Sequence, residues 1–301
     1  MNPIITPRED HEWEVGGTFN PAAVRVGNKT HLLYRAVDSN KISSLGYAQT
    51  INGAELTFRS SEPVLSPSTE AESFGCEDPR ITLLDGRFYV AYTAYSRRGP
   101  RLALASTTDF TQFQKYGLIG PDHTDKDCAI FPERINGKIA ILHRLQSSMQ
   151  IAYFDDLESM VDSQQYWNGY MKHFRDFELI GPKFPWEHRK VGTGAPPIKT
   201  DRGWLLIYHG VSLKKVYSTG ALLLDMDDPM KVLARTSTPI LEPEMDFEKN
   251  GIVSNVVFPD GAVVEDGRLF VYYGGADRVC CVATAPFDDF VDQLARESNG
   301  T

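Results

Sequence analysis

The chain reads as all-β, a five-bladed β-propeller with four-stranded blades, and three observations carry that reading. One phrase occurs five times, as AAVRVGNKTHLLYRAV, RITLLDGRFYVAYTAY, ERINGKIAILHRL, PIKTDRGWLLIYHGV and GAVVEDGRLFVYYGGAD. Its turn glycines, Gly27, Gly86, Gly137, Gly203 and Gly267, recur roughly every 50 to 65 residues, a period that signals radial repetition. Helical periodicity is scarce, confined to short stretches at 157–161 and 288–297. A β-sandwich also spaces its turns regularly, but its strands share no common phrase.

Each copy dictates the same order of elements. A Pro-marked entry (NPAA, EDPR, FPER, APPI and FPDG) leads into an apolar-alternating run, a glycine turn and a second run. A third strand follows, in SSLGYAQT, RLALASTT, SMQIAYFD, STGALLLD and RVCCVATA. A short outer segment with a Pro stop is expected in EPVLSP, GLIGP, LIGPKFP and PILEP. A hairpin cannot bury its apolar face alone, so such units must stack around a common axis. We therefore expect one unit over residues 1–301.

Composition narrows the function classes. With 31 basic against 40 acidic residues and a formal charge of −9, nucleic acid and anionic membrane are poor partners. No run approaches the roughly 18 apolar residues of a membrane span, and the N-terminal stretch lacks a secretion signal. Cys76, Cys128, Cys280 and Cys281 have neither metal-site nor disulfide spacing. They read as reduced packing residues of a cytoplasmic protein.

In a propeller the loops entering the innermost strands ring one mouth of the central channel. The residues there are unusually polar: Asn20 and Arg35, then Glu77, Asp78 and Arg80, then Lys126, Asp127, His143 and Arg144. Lys190, Tyr208 and His209 follow, then Asn255, Tyr272, Tyr273 and Asp277. A funnel holding both carboxylates and cations points to a polyhydroxylated, partly anionic ligand. Asp78 is the leading candidate for chemistry. Pro79 should hold it extended, Gly75 should permit close approach, and Glu77 and Arg80 flank it. A turn-capping Asp before Pro is the ordinary alternative.

GCEDPR, DCAIFPERINGKIAILHR, KVGTGAPPIKTDRGWLLIYHGV and the ending NVVFPDG…VYYGGAD together resemble glycoside hydrolase family 130, from about Asn20 to Asp277. The resemblance implies a five-bladed propeller that acts on β-mannosides. It makes Asp78 the general acid, its proton relayed through the mannose 3-hydroxyl. Asn20, Arg35, Glu77, Arg80 and Asp277 would hold mannose, while Lys126, Arg144, Lys190 and His209 would bind phosphate. One departure stands out: many phosphorylases of this family carry Arg-Asn where this chain has Lys126-Asp127.

The leading expectation is an inverting β-mannoside phosphorylase using inorganic phosphate as co-substrate, with no metal or other cofactor. It would release α-mannose 1-phosphate from β-1,2- or β-1,4-linked manno-oligosaccharides. An inverting β-mannosidase using water, with Asp127 as the base, and a non-catalytic sugar-binding propeller are the alternatives. Segments 95–101, 166–176 and 211–217 are candidate walls for the leaving sugar, with Trp167 and Tyr217 as stacking platforms. Oligomeric state stays open, a homo-oligomer included.

Overall fold

The run after the glycine turn of each repeated phrase folds into an inner strand of an antiparallel meander, because its alternating apolar residues can be buried only against a neighbour. In the third and fourth copies the first strand lies ahead of the phrase. The computed structural model describes residues 2–297. The first meander is β1 (Gly17–Val26), β2 (Lys29–Val37), β3 (Ser43–Ile51) and β4 (Glu55–Arg59). The second is β5 (Gly75–Leu84), β6 (Arg87–Ser96), β7 (Gly99–Thr107) and β8 (Gln114–Leu118). A parallel contact between Ser43 and Gly75 joins these two into one sheet.

The third meander is β9 (Lys126–Ile130), β10 (Ile139–Leu145), β11 (Ser148–Phe154) and β12 (Glu178–Ile180). Helices α1 (Leu157–Val161) and α2 (Gln164–Tyr170) lie between its last two strands. In the fourth, β13 (Lys190–Thr193) and β14 (Ile198–Thr200) both pair with β15 (Gly203–Val211), and β16 (Tyr217–Leu224) and β17 (Val232–Arg235) complete it. Helix α3 (Asp246–Lys249) precedes β18 (Val257–Glu265), β19 (Arg268–Gly275) and β20 (Val279–Pro286), and α4 (Phe287–Glu297) ends the described chain. Ile5 bridges to Cys280, which lays the N-terminal segment along β20.

The meanders pack in cyclic order: β1 on β5, β5 on β9, β9 on β13, β15 and β16 on β18, and β18 back on β1. Apolar clusters fill the spaces between neighbours. Leu33 and Ile81, Leu104 and Ile141, Leu142 and Leu206, Leu205 and Val271, and Phe270 and Leu32 share these clusters across neighbouring meanders. All four cysteines are buried and free.

A buried acid clasp recurs in every meander. Tyr34, Tyr92, Tyr208 and Tyr273 donate their hydroxyls to Glu14, Glu72, Glu187 and Glu248. In the third meander Asp125 instead holds His143 at 2.8 Å. Arg59, Lys115 and Arg235, beside or within the outer strands, add a cation to three of these carboxylates. Each clasp ties the turn before a first strand to the middle of its sheet.

The first strands are interrupted at one common level. Pairing slips between Phe19 and Ala22, between Glu77 and Arg80, between Leu142 and Arg144 opposite Asp127, and between Pro259 and Gly261. At three of these bulges a non-glycine residue adopts the left-handed backbone: Asn20 at φ 50°, Asp78 at 48° and Asp127 at 60°. Such bulges re-aim side chains and are enriched beside active sites.

Two local expectations are corrected here. Asp78 is not extended: the bulge turns it left-handed although Pro79 follows, and Arg80 Nη1 donates to its carbonyl at 2.9 Å. Gly75 does allow close approach, since a Cβ there would lie 2.5 Å from Ser43 Cβ. The outer strands at Glu55–Arg59 and Val232–Arg235 precede the Pro-stopped segments expected to form them. Leu65 and Leu241 of those segments make only isolated bridges, to Leu45 and Thr219. Proline cannot donate to a ladder, so the segments close the edge and do not extend it.

Candidate active site

The bulge of β5 aims Asp78 at groups from β1, β2 and β9. Asn20 Nδ2 donates to Asp78 Oδ1 at 2.8 Å, and Arg35 Nη1 donates to the same oxygen at 3.1 Å. Arg35 spans the acid pair, giving Nη2 to Glu77 at 2.7 Å and Nε to Ser43 at 3.0 Å. Lys126 completes this side, with Nζ 3.3 Å from Glu77 and 3.6 Å from Asp78. Burial pushes the Asp78 carboxyl up, but Arg35, Lys126 and Asn20 outweigh it and hold Asp78 well below the usual carboxylate range.

Asp277 follows β19, left-handed at φ 52°. Burial raises it to about 6; Asp78 adds to the rise and Arg35 opposes it. Two carboxyls that feel the same arginine are thus set apart in acidity, an arrangement suited to dividing acid and ion roles.

The second cluster lies across Lys126. In the β9–β10 register Arg144 stands opposite Lys126, and Arg144 Nε donates to Asp127 at 2.5 Å. On the next meander Gly192 pairs with His209, and a Cβ at Gly192 would lie 2.3 Å from Asp127 Oδ2. The missing side chain lets His209 Nε2 come within 3.6 Å of Asp127. His209 is fully buried and neither ring nitrogen has a hydrogen-bond partner; burial lowers its pKa to about 3. Lys190 lies over the Tyr217 ring at 5.2 Å, and burial together with Arg144 lowers it to about 8. These cations, beside a histidine with unpaired nitrogens, are groups able to bind an anion.

The residues expected to handle acid, sugar and anion converge apart from Arg80, whereas several other candidates of the mouth do not. His143, Tyr208 and Tyr273 are held in the buried clasps, Tyr272 gives its hydroxyl to the Gly53 carbonyl, and Trp167 is core. Arg80 is 1% exposed. It donates to the carbonyls of Gly194, Asp78 and Thr193, and its Nη2 lies 2.7 Å from Asp260. Its donors are spent on the protein, so it braces the bulge beneath the funnel and is not placed as the sugar ligand expected. Trp167 is also 1% exposed and gives its ring nitrogen to the Ile119 carbonyl, so it is core and not a stacking platform.

Sequence reasoning missed Asp260, a fully buried carboxyl raised by its burial. The signal was there, since Asp260 occupies the bulge of the fifth copy as Asp78 does in the second. It also missed Phe258, whose ring lies 4.4 Å from that of His209. A cavity of about 170 Å³ opens beside Lys126 and Arg144, walled by His123, Met171 and Phe174. Among the described residues, no group of three or more His, Cys, Asp or Glu is arranged to hold a metal ion, and no helix is long and apolar enough to cross a membrane.

The glycoside hydrolase family 130 profile, described as beta-1,4-mannooligosaccharide phosphorylase, matches residues 4–296. A 1,2-beta-oligomannan phosphorylase of Thermoanaerobacter sp. (strain X514) is 41% identical over 95% of this chain and 96% of its own length. A beta-1,4-mannooligosaccharide phosphorylase of Ruminococcus albus is 32% identical over 99% of this chain and 86% of its own. The solved structure of a beta-1,2-mannobiose phosphorylase from Listeria innocua, in complex with beta-1,2-mannobiose, superposes with a TM-score of 0.83 at 31% identity, covering 98% of both chains. With matches of this extent over the carboxylate and cation clusters just described, the chain is an enzyme belonging to glycoside hydrolase family 130, among whose members are the mannoside phosphorylases it resembles.

Proposed function

We propose that this enzyme is an inverting β-mannoside phosphorylase acting first on β-1,2-linked manno-oligosaccharides, on a single five-bladed propeller. Its blades are not uniformly four-stranded as expected, since the fifth meander has three strands and the fourth has five. The observation that carries the reading is the pairing of two clusters at one level of the first strands. Asp78 is held by Asn20 and Arg35 within the field of Asp277, and Arg144, Lys190 and His209 stand beyond Lys126. Phosphate enters as an anion and must approach an anomeric carbon close to carboxylates. Cations on its side offset both its desolvation and that repulsion. Water as nucleophile would need no such cluster.

In this mechanism mannose replaces the water around Asp78, and phosphate draws on the charge of Lys126. Both changes raise the Asp78 pKa from its depressed resting value, so that it takes up a proton and passes it, through the 3-hydroxyl of mannose, to the leaving oxygen. Phosphate attacks C1 from the opposite face and gives α-mannose 1-phosphate and a shortened sugar. Lysine and arginine supply the positive charge, and no metal enters. We assign the wall formed by Met171 and Phe174, within segment 166–176, to the leaving sugar. The hydrolytic alternative needs Asp127 as a free base, whereas Asp127 is bound by Arg144. The preference for β-1,2 linkages rests on relatives at 38 to 41% identity named for them. Four buried, unpaired thiols favour a reducing, cytoplasmic setting.

The test is incubation with β-1,2- and β-1,4-mannobiose, each with and without inorganic phosphate. Mannose 1-phosphate should form only with phosphate, and faster from the β-1,2 isomer. Equal release of free mannose in both conditions would replace the phosphorylase by a mannosidase.

A further inference from the structure

The anion cluster contains a group that an anion should avoid. Asp127 stands among Arg144, His209 and Arg80, is 1% exposed, and is aimed there by its left-handed backbone in the β9 bulge. Among the described residues its one side-chain hydrogen bond uses Oδ2, which accepts from Arg144 Nε, while Oδ1 lies 3.8 Å from Arg80. An ionised carboxylate has about four acceptor positions and no donor, so Asp127 keeps unused lone pairs inside the cluster. His209 beside it has two unpaired nitrogens. Gly192 leaves room for both, since a Cβ there would lie 2.3 Å from Asp127 and 2.5 Å from His209.

We propose that Asp127 selects the nucleophile by its proton: the site accepts an oxyanion that carries a P–OH or equivalent donor and rejects one of the same shape and charge that carries none. The proposal rests on the phosphate reading given above. Bound against Arg144 and Lys190, an anion brings an oxygen toward Asp127. With a proton on that oxygen the contact is a charge-assisted hydrogen bond. Without one it is two negative oxygens facing each other, with little water between them to screen the repulsion. Hydrogen phosphate keeps a proton at neutral pH, and sulfate, the anion of a far stronger acid, keeps none. Burial keeps His209 neutral near pH 7, so it adds no positive charge to cancel the repulsion.

The test uses the full-length protein with β-1,2-mannobiose and limiting phosphate, adding arsenate or sulfate at matched ionic strength. Arsenate has the tetrahedral shape and keeps a proton, so it should compete with phosphate at comparable concentration. Sulfate should compete at least about tenfold less well. In Asp127→Asn the amide offers a donor, and the arsenate-to-sulfate preference should fall by about tenfold or more. The wild-type comparison decides alone should that variant not fold. Sulfate inhibiting the wild type as strongly as arsenate, or a preference unchanged in Asp127→Asn, overturns the proposal while leaving the phosphate site standing. Cleavage that needs no phosphate and ignores both anions overturns the phosphate reading itself.

Discussion

Asp78 and Asp277 share the field of Arg35, yet one is held ionised and the other is pushed up to about 6. Replacing Asp78 by Asn keeps its shape and removes the transferable proton. Turnover of Asp78→Asn should drop by about 10²–10⁴-fold with folding intact, as steady-state rates and circular dichroism would report. Near-normal turnover would move the acid to another group, and Asp277 would be the first to examine. Asp277 also makes a prediction about stability. Its folded pKa lies above the ordinary 3.8, so its contribution is present at low pH and is lost as pH rises through about 6. Asp277→Asn escapes that loss. The variant should therefore gain on the wild type between about pH 4 and pH 7, by on the order of 1–3 kcal/mol, and hold the gain above. Thermal unfolding across that range reads it; a difference that stays flat would contradict the burial of the charge.

Individual site residues were legible because they flank the turn-bearing phrases, where a purely structural strand has little reason to place ionisable groups. Arg80 was misread for a physical reason. An arginine beside a candidate acid looks like a ligand in sequence, and only its carbonyl acceptors on the fourth meander, Thr193 and Gly194, show it to be a brace. Those acceptors lie more than a hundred positions away, beyond any local pattern.

At the scale of elements, hairpins were easy to read and bulges were not. Asp85-Gly86 and Asp266-Gly267 take positive φ together, the two-residue turn that Asp-Gly favours. A bulge leaves no such mark, and the residue before a proline is ordinarily extended. The register of β5 on β6 overrode that preference at Asp78. The acid clasps were missed too, since each joins a turn to a strand some twenty residues on. They should matter to folding: Glu187 accepts from Tyr208 at 3.0 Å and Arg235 at 2.5 Å, and it is fully buried. Glu187→Ala strands both partners and should destabilise the protein by about 3–5 kcal/mol, seen as a lower denaturation midpoint. A loss below about 1 kcal/mol would mean the clasp adds nothing beyond packing.

Across the whole molecule, five copies of one phrase yield meanders that pack cyclically and bring their bulges to one level. The chain carries a formal charge of −9, yet Lys126, Arg144 and Lys190 gather on two successive meanders. Cyclic packing makes that concentration possible, because it converts residues far apart in sequence into one funnel with a carboxylate half and a cationic half. The central claim is that these halves bind different substrates. Initial rates with phosphate and mannoside varied independently test it most directly, in Arg144→Ala and Asp277→Ala. Arg144→Ala should raise KM for phosphate about ten- to a hundred-fold and leave that for the mannoside within about threefold, while Asp277→Ala should show the reverse. Equal impairment of both constants in both variants would contradict the division of the funnel.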